Sequence, residues 1–352
     1  MMFIPALLLT LVAGFINGSF ATPTKYMEKW KEESIWLIFS FWAFLLFPWL
    51  TLFMLEPQGA GVIAQIPAKM LLVILLGGLG FGLGQIFFAL AFKFIGIGLN
   101  FVINISMGTA GSALVPLLWN RKLIGTEYSY LQFAGIFIFV VAVSVGAAAG
   151  AARDKKKKQE EAASKEVERT HTKTSALILG VLFSILAGLG SVCQGVSYIY
   201  VNPTVSRIVL DHMPSDLFAS ILTWILIFSV AWVPYVLYFL FLNLRSGGLT
   251  VVRKSGKIGE YGFMFVIMGL GFWASVVIFS RASQMIGGAM APTIAWPLFM
   301  VFIILTSNLW GWMSGEWKNA GSSAIRRLWV SILLFICAII VFSISSAVNP
   351  AA

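Results

Sequence analysis

The stretch GLGFGLGQIFFALAFKFIG at 78–96 is apolar apart from one glutamine and one lysine, and its first half is rich in glycine. The chain repeats it at 269–287 as GLGFWASVVIFSRASQMIG, with 8 of 19 positions identical and no gap. The matched positions include Gly78/Gly269, Gly80/Gly271, Phe81/Phe272, Phe88/Phe279 and Gly96/Gly287. A gapless run of this kind at a single offset indicates an internal duplication.

The composition indicates that the solvent of this chain is lipid. The sequence is 59% hydrophobic and 11% charged, whereas soluble domains carry about 25% charged residues. The net charge of +10 lies between the apolar segments, where it sets orientation and contacts anionic headgroups. We therefore expect the lipid bilayer, and not nucleic acid, as a partner.

Ten apolar segments are long enough to cross a bilayer as helices, which satisfy their own backbone hydrogen bonds there. They lie at 3–22, 34–55, 69–92, 96–119, 128–150, 175–200, 216–243, 261–281, 288–313 and 326–347. We predict an all-α membrane protein with ten transmembrane helices. Only Lys93, Gly96 and Gly98 separate the third segment from the fourth, and only 281–287 separates the eighth from the ninth. Each of these pairs is predicted to form a tight helical hairpin.

A charged linker at 151–174 separates five segments at 1–150 from five at 175–352. Lys and Arg number 19 in the odd-numbered loops and 5 on the opposite side. The positive-inside rule therefore puts the linker in the cytoplasm and both termini outside. Five helices per half give the halves opposite orientations. Two inverted five-helix repeats are typical of transporters that bind their substrate at the repeat interface.

The sequence offers no catalytic constellation. The two histidines, His171 and His212, fall in predicted loops, and no pair of acidic residues lies inside an apolar segment. We therefore predict no catalytic residue, no metal, no cofactor and no enzymatic activity. A channel would need a continuous polar pore lining, and the polar residues are too sparse for one. A scaffold for lipids or partner proteins would not account for the duplicated halves.

The candidate binding residues are uncharged polar and aromatic side chains at membrane depth. Amides in hydrocarbon are costly, so they should face the bundle interior and find partners there. An interhelical hydrogen bond is the alternative for each of them singly. As a set from both halves they suit a neutral polyol, because amides bond hydroxyls and tryptophan covers a sugar ring. The predicted substrate-binding residues are Asn17, Gln85, Asn100, Asn104, Gln194, Tyr198, Trp273 and Trp296.

Small residues and prolines suggest where the helices pack and bend. Small residues let helix backbones approach closely in lipid, and a proline inside a helix removes a hydrogen bond and bends it. Pro48 and Pro234 lie in the second and seventh segments, which are repeat counterparts. Either these prolines bend two helices that act as gates, or they are tolerated kinks with no role in gating. The predicted hinge and packing residues are Gly80, Gly84, Gly96, Gly271, Gly287, Pro48 and Pro234. Arg281 is expected to pair with Asp211 or Glu316.

Three stretches carry a resemblance to a known family. They are MEKWKEESIWLIFSFWAFLLFPW (27–49), GQIFFALAFKFIGIGLNFVINISMGTAGSALVP (84–116) and SGEWKNAG (314–321). They resemble the corresponding parts of the bacterial rhamnose–proton symporters, a family of the drug/metabolite transporter superfamily. The resemblance implies ten helices in two inverted halves and sugar uptake coupled to protons. In that family the eighth-to-ninth junction carries histidine, glutamine and aspartate, whereas here Pro292 stands where the aspartate would fall.

The sequence thus predicts a multi-pass carrier of the bacterial inner membrane. Its substrate would be a small neutral solute, with a rhamnose-like sugar favoured, moved by alternating access and taken up with a proton. The alternative is a drug or metabolite exporter, or a facilitator, of the same superfamily. The sequence does not indicate an oligomeric state.

Overall fold

The computed structural model describes residues 3–163, 174–286, 295–315, 317–318 and 320–348. Within these ranges the ordered elements are all helices, which confirms the predicted all-α class. The α-helices are α1 (Phe3–Ser19), α2 (Glu32–Ser40), α3 (Phe47–Leu55), α4 (Gly59–Ile63), α5 (Ala68–Trp119), α6 (Glu127–Ala163), α7 (Thr174–His212), α8 (Asp216–Ser246), α9 (Gly248–Lys254), α10 (Ile258–Ile286), α11 (Trp296–Met313) and α12 (Ser322–Ala347).

The chain is a multi-pass membrane protein. Nine helical stretches in the described ranges are long and apolar enough to span a bilayer. Large apolar side chains such as Leu8, Phe137 and Leu237 are more than half exposed on helices from both halves of the chain. In water such surfaces would be unfavourable, but in a bilayer they contact lipid tails of matching polarity.

The predicted break between the third and fourth segments is wrong, because the chain is helical throughout α5. Lys93 and the two glycines do not end the helix, since each backbone hydrogen bond lost in hydrocarbon costs several kcal/mol. The path is nevertheless sharply bent. Asn100 Nδ2 donates to Phe88 O over 2.7 Å, whereas a straight helix would separate these residues by about 18 Å. The chain therefore doubles back between Phe88 and Asn100, in the region where the sequence predicts a turn.

Part of the predicted charged linker is helical. Helix α6 continues to Ala163, so the first part of the predicted linker at 151–174 is helical. Near its end, the Arg153 guanidinium lies 4.9 Å from the centre of the Trp317 ring. The rest of the linker at 164–173 lies outside the described residues, as do Gly287 and the other residues of the eighth-to-ninth junction at 287–294.

The chain divides into two compact units, and neither is a sequence half. The first contains Met1–Ile86 and Cys193–Gly287, and the second contains Phe87–Val192 and Gly288–Ala352. Each unit therefore takes one part from each half of the sequence. Helices α5 and α7 each contribute to both units.

Each unit has its own packing. In the first, α1 runs along α10, while α2 and α3 pack against α8 and α10. The π-helical turn Phe41–Leu46 joins α2 to α3 directly before Pro48, whereas α8 continues through Pro234 without a break. In the second unit α6 packs along α12. The core there is formed by Phe139, Ala142, Val143, Val301, Phe335, Ala338 and Phe342.

Candidate substrate-binding site

The predicted site residues are distributed over both compact units. The first unit holds Asn17, Gln85, Gln194, Tyr198 and Trp273, and the second holds Asn100, Asn104 and Trp296.

A cluster of four phenylalanines fills the interior of the first unit. Phe44 and Phe228 stack with ring centres 5.4 Å apart. Phe81 contacts both rings, at 6.4 Å from Phe44 and 6.2 Å from Phe228. Phe272, the repeat counterpart of Phe81, also contacts both, at 5.5 and 5.6 Å. The two matched residues of the duplication therefore meet the same pair of rings.

The aromatic cluster extends along α8 to Tyr198 of α7. Trp224 stacks on Phe228 at 5.5 Å, and Tyr198 stacks on Trp224 at 4.1 Å with an interplanar angle of 18°. Trp224 is 3% exposed. Sequence reasoning missed Trp224, Phe44 and Phe228, because no motif distinguishes them among 13 tryptophans and 30 phenylalanines.

Two predicted amides of the first unit, Gln85 and Gln194, have no hydrogen-bond partner among the described residues, although Gln194 is only 7% exposed. Gln85 lies one turn after Phe81 on α5, and Gln194 lies one turn before Tyr198 on α7. Residues four apart share a helix face.

Helices α5 and α7, which carry the two amides, run antiparallel beside the aromatic cluster. Ser197 Oγ donates to Val73 O over 2.9 Å, and a Cβ added at Gly80 would lie 2.9 Å from Cys193 Cβ. As the residue number increases along α5, the number of the facing residue on α7 decreases, so the two helices are antiparallel here. The direction from Phe81 to Gln85 along α5 is therefore the same as the direction from Tyr198 to Gln194 along α7.

The remaining predicted residues of the first unit join helices to one another. Asn17 Nδ2 donates to Ser275 Oγ over 2.7 Å, which links α1 to α10. Trp273 Nε1 donates to Thr51 Oγ1 over 2.8 Å, which links α10 to α3. Both side chains therefore form interhelical hydrogen bonds, which the sequence analysis gave as the alternative to substrate binding.

In the second unit the amides of α5 bond serines of α7. Asn100 is fully buried, and its Oδ1 accepts from Ser184 Oγ over 2.7 Å while its Nδ2 donates to Phe88 O. Asn104 Oδ1 accepts from Ser191 Oγ over 2.8 Å. The Asn104 amide nitrogen donates to no described residue, whereas the Asn100 nitrogen uses one of its two N–H donors on Phe88 O.

Two hydroxyls near Asn104 are buried without a hydrogen-bond partner among the described residues. They belong to Ser106 and Thr109 on the same helix. Trp296, the third predicted residue of this unit, is the first residue of α11, and its ring centre lies 6.1 Å from that of Phe299.

The predicted packing glycines differ in how closely a neighbouring helix approaches them. An added Cβ would lie 2.9 Å from Cys193 Cβ at Gly80, but 3.7 Å from Phe20 Cβ at Gly271. Gly82, which the sequence analysis did not single out, lies closer, because its added Cβ would be 2.4 Å from Ala231 O. Gly84 is buried, and Gly96 lies within α5.

Arg281 pairs with a different acid from the two that the sequence suggested. Its Nη1 lies 3.3 Å from Asp216 Oδ2 and 3.1 Å from Gln284 Oε1. The expected pairing with Asp211 is therefore wrong, because the N-terminus of α8 and not the C-terminus of α7 faces the guanidinium. Glu316 lies outside the described residues.

The chemistry available in the described ranges is hydrogen bonding and aromatic stacking. No group of His, Cys, Asp and Glu there could hold a metal ion. The acids nearest the spans, such as Glu56, Glu127 and Asp216, lie at helix ends. Amides beside an aromatic face can bind a neutral hydroxylated molecule, but they cannot transfer a proton near neutral pH.

Comparison with known proteins gives a match over nearly the whole chain. A family model described as L-rhamnose-proton symport protein matches residues 2–348. The chain is also similar to L-rhamnose-proton symporters from Yersinia pestis bv. Antiqua (strain Antiqua) and Yersinia pseudotuberculosis serotype I (strain IP32953). Each is 27% identical over 132 residues, covering 36% of this chain and 38% of the relative. These alignments therefore span less than two fifths of the relatives' length.

Proposed function

Because the chain belongs to the L-rhamnose-proton symport protein family, we propose that it imports L-rhamnose, or a closely similar sugar, together with a proton across the bacterial inner membrane. The family match over residues 2–348 is the observation that carries this proposal. The family is one of symporters and not of enzymes. No observation gives the exporter or facilitator alternative comparable support.

Uptake into proteoliposomes tests the proposal. Purified protein should accumulate labelled L-rhamnose against its gradient when the outside is acidic, and an uncoupler should abolish the accumulation. Equilibration without accumulation would contradict proton coupling while leaving sugar transport intact. No saturable uptake of any hexose or deoxyhexose would contradict the sugar substrate.

We further propose that the chain has ten transmembrane helices in two inverted repeats, 1–150 and 175–352, joined by a cytoplasmic linker. Reciprocal contacts of matched glycines support this arrangement. A Cβ added at Gly78 would lie 2.8 Å from Ile227 O of α8, in the seventh predicted segment. At Gly269 it would lie 2.5 Å from Trp42 Cβ, in the second. The matched glycines thus contact matched segments, as a pseudo-twofold axis requires.

A second pair of glycines supports the same arrangement on another face. Gly80 of α5 lies against Cys193 of α7, in the sixth predicted segment. Gly271 of α10 lies against Ile16 and Phe20, in and just after α1, the first predicted segment. Phe81 and Phe272 also contact the same stacked pair of rings. This is a third case in which matched residues make matched contacts.

Cysteine labelling tests the inverted topology. Gly61 and Gly259 lie in matched regions of the two halves, are exposed, and have open space around an added Cβ. In a background without Cys193 and Cys337, an impermeant maleimide should label Gly61→Cys from outside and Gly259→Cys only from the cytoplasmic side. Labelling of both from one side would contradict the inverted arrangement.

For the sugar we propose contacts from Gln85 and Gln194, with Tyr198, which stacks on Trp224, supplying an aromatic face. These amides have no described partner, whereas those of Asn17 and Asn100 already bond other helices. Asn104, Trp273 and Trp296 remain candidates from the predicted set. In alternating access the two repeats would rock about this site so that it opens to one side at a time. Gly287 would then act as a hinge together with the bend in α5 near Gly96, and Pro48 and Pro234 would aid the bending.

A further inference from the structure

A cleft of about 610 Å³ lies in the first unit, away from the aromatic cluster. It is lined by Lys29, Gly247, Thr250, Val251, Lys254 and Ser255. These residues belong to the first and seventh interhelical connections, which the count of Lys and Arg assigns to the cytoplasmic face. Ligand sites in proteins have volumes of roughly 300–1,000 Å³, so the cleft can hold a group larger than a single ion.

The walls of the cleft are fixed by contacts on both sides of α9. Trp30 Nε1 donates to Ser255 Oγ over 2.8 Å, after α9. Lys31 Nζ donates to Ser246 O over 2.7 Å, before α9. The Trp30 ring packs edge-on against Tyr261 at 5.1 Å. The first connection is therefore pinned to the seventh at two points, and the cleft between them is preformed.

The basic residues around the cleft are not equivalent. Lys31 already bonds a backbone carbonyl, and Lys257 pairs with Glu260, whose hydrogen bond raises the pKa of that lysine. Lys29 and Lys254 line the cleft and form no ion pair with any described residue. Two exposed ammonium groups and the exposed Thr250 hydroxyl thus lie around one open cleft. This donor set matches a phosphate, which is anionic and accepts several hydrogen bonds.

The surroundings favour a lipid as the source of that phosphate. Leu249 and Ile258, beside the cleft-lining residues in sequence, are 39% and 55% exposed. The seventh connection therefore carries Lys254, which pairs with no acid among the described residues, close in sequence to exposed apolar side chains. Basic pockets beside transmembrane helices on the cytoplasmic side suit anionic headgroups. We infer that the cleft formed by Lys29, Thr250 and Lys254 binds the phosphate of an anionic phospholipid of the inner leaflet.

Thermal unfolding of the full-length protein in neutral detergent, titrated with phosphatidylglycerol, tests this inference. Phosphatidylglycerol should raise the Tm of the wild-type protein, and phosphatidylcholine should not. The double variant Lys29→Gln/Lys254→Gln should lose affinity for phosphatidylglycerol on the order of fivefold for each lysine. The control Arg253→Gln/Lys257→Gln removes the same charge from neighbouring positions that do not line the cleft, so it should respond like the wild type.

Equal loss of the response in both double variants would overturn the inference, because it would indicate non-specific attraction to the basic face. An equal rise of Tm with inorganic phosphate at the same concentration would overturn the assignment to a lipid. If the glutamine variant fails to fold, Lys29→Arg/Lys254→Arg keeps both charges. Native mass spectrometry should then find phosphatidylglycerol bound to the arginine variant, and an absence of bound lipid would contradict the inference.

Discussion

Helices α5 and α7 pack together in both units, but their polar residues are used differently. In the second unit, Asn100 and Asn104 bond Ser184 and Ser191 across the contact. In the first unit the contact is made by Gly77, Gly80, Cys193 and Ser197, and the nearby amides Gln85 and Gln194 stay without described partners.

The difference separates two uses of a polar residue in lipid. An amide bonded to a neighbouring helix stabilises packing, whereas an amide without a protein partner keeps its donors and acceptor for water or a ligand. The glycines of the first unit let the helix backbones approach without an amide between them. We therefore assign ligand contact to the glutamines of the first unit and helix packing to Asn100 of the second.

The largest expected effect is the loss of sugar uptake when the two glutamines of the first unit are replaced. Gln85→Leu/Gln194→Leu should lower uptake of L-rhamnose at limiting concentration by about 100-fold, since two hydrogen bonds of roughly 1–1.5 kcal/mol each would be lost. The Tm should stay within about 2 °C of the wild type, because neither amide bonds a described residue. A wild-type uptake rate in reconstituted vesicles would remove both residues from the site.

The next effect tests glycine packing in the first unit. Gly82→Ala should destabilise the protein by about 1–3 kcal/mol, because the new methyl group would meet backbone at Ala231 O, 2.4 Å away, and overpacking has costs of this size. Gly262→Ala is the matched control, since nothing lies within 4 Å of its added Cβ. It should be neutral or slightly stabilising. Unfolding of both variants in detergent gives the comparison, and equal stabilities would contradict close packing at Gly82.

A smaller effect is expected from the bonded amide of the second unit. Asn100→Leu should lower stability by about 1–2 kcal/mol, because it leaves Ser184 Oγ and Phe88 O without their partner, and interhelical bonds in membranes contribute about this much. The affinity for sugar should change less than threefold. A variant of unchanged stability that no longer binds sugar would reverse the roles assigned to the two units.

The smallest effect concerns the exposed ion pair at the end of α10. Asp216→Asn should cost at most about 1 kcal/mol, since both partners of the Arg281 contact are well exposed and water screens the pair. The loss should shrink in high salt. Unfolding at two salt concentrations measures it, and a large loss that ignores salt would indicate a structural role beyond charge pairing.

The sequence predicted the lipid environment, because composition is visible without a structure. Phe81 and Phe272 were found as a repeat pair, and they share the same neighbouring rings. The sequence did not predict that the helix continues through Gly96, although the chain doubles back in that region, where a turn was expected. The partner of each amide was not predictable. It depends on whether a serine of the neighbouring helix lies opposite the amide, as Ser184 and Ser191 do for Asn100 and Asn104, and that register is fixed only in three dimensions.

The measurement that tests the assignment of the two units most directly is the rise in Tm on adding L-rhamnose, compared between Gln194→Leu and Asn100→Leu. The account predicts that Gln194→Leu unfolds at the wild-type temperature but loses the ligand-induced rise, and that Asn100→Leu unfolds earlier and keeps it. A full ligand-induced rise in Gln194→Leu together with none in Asn100→Leu would contradict the account.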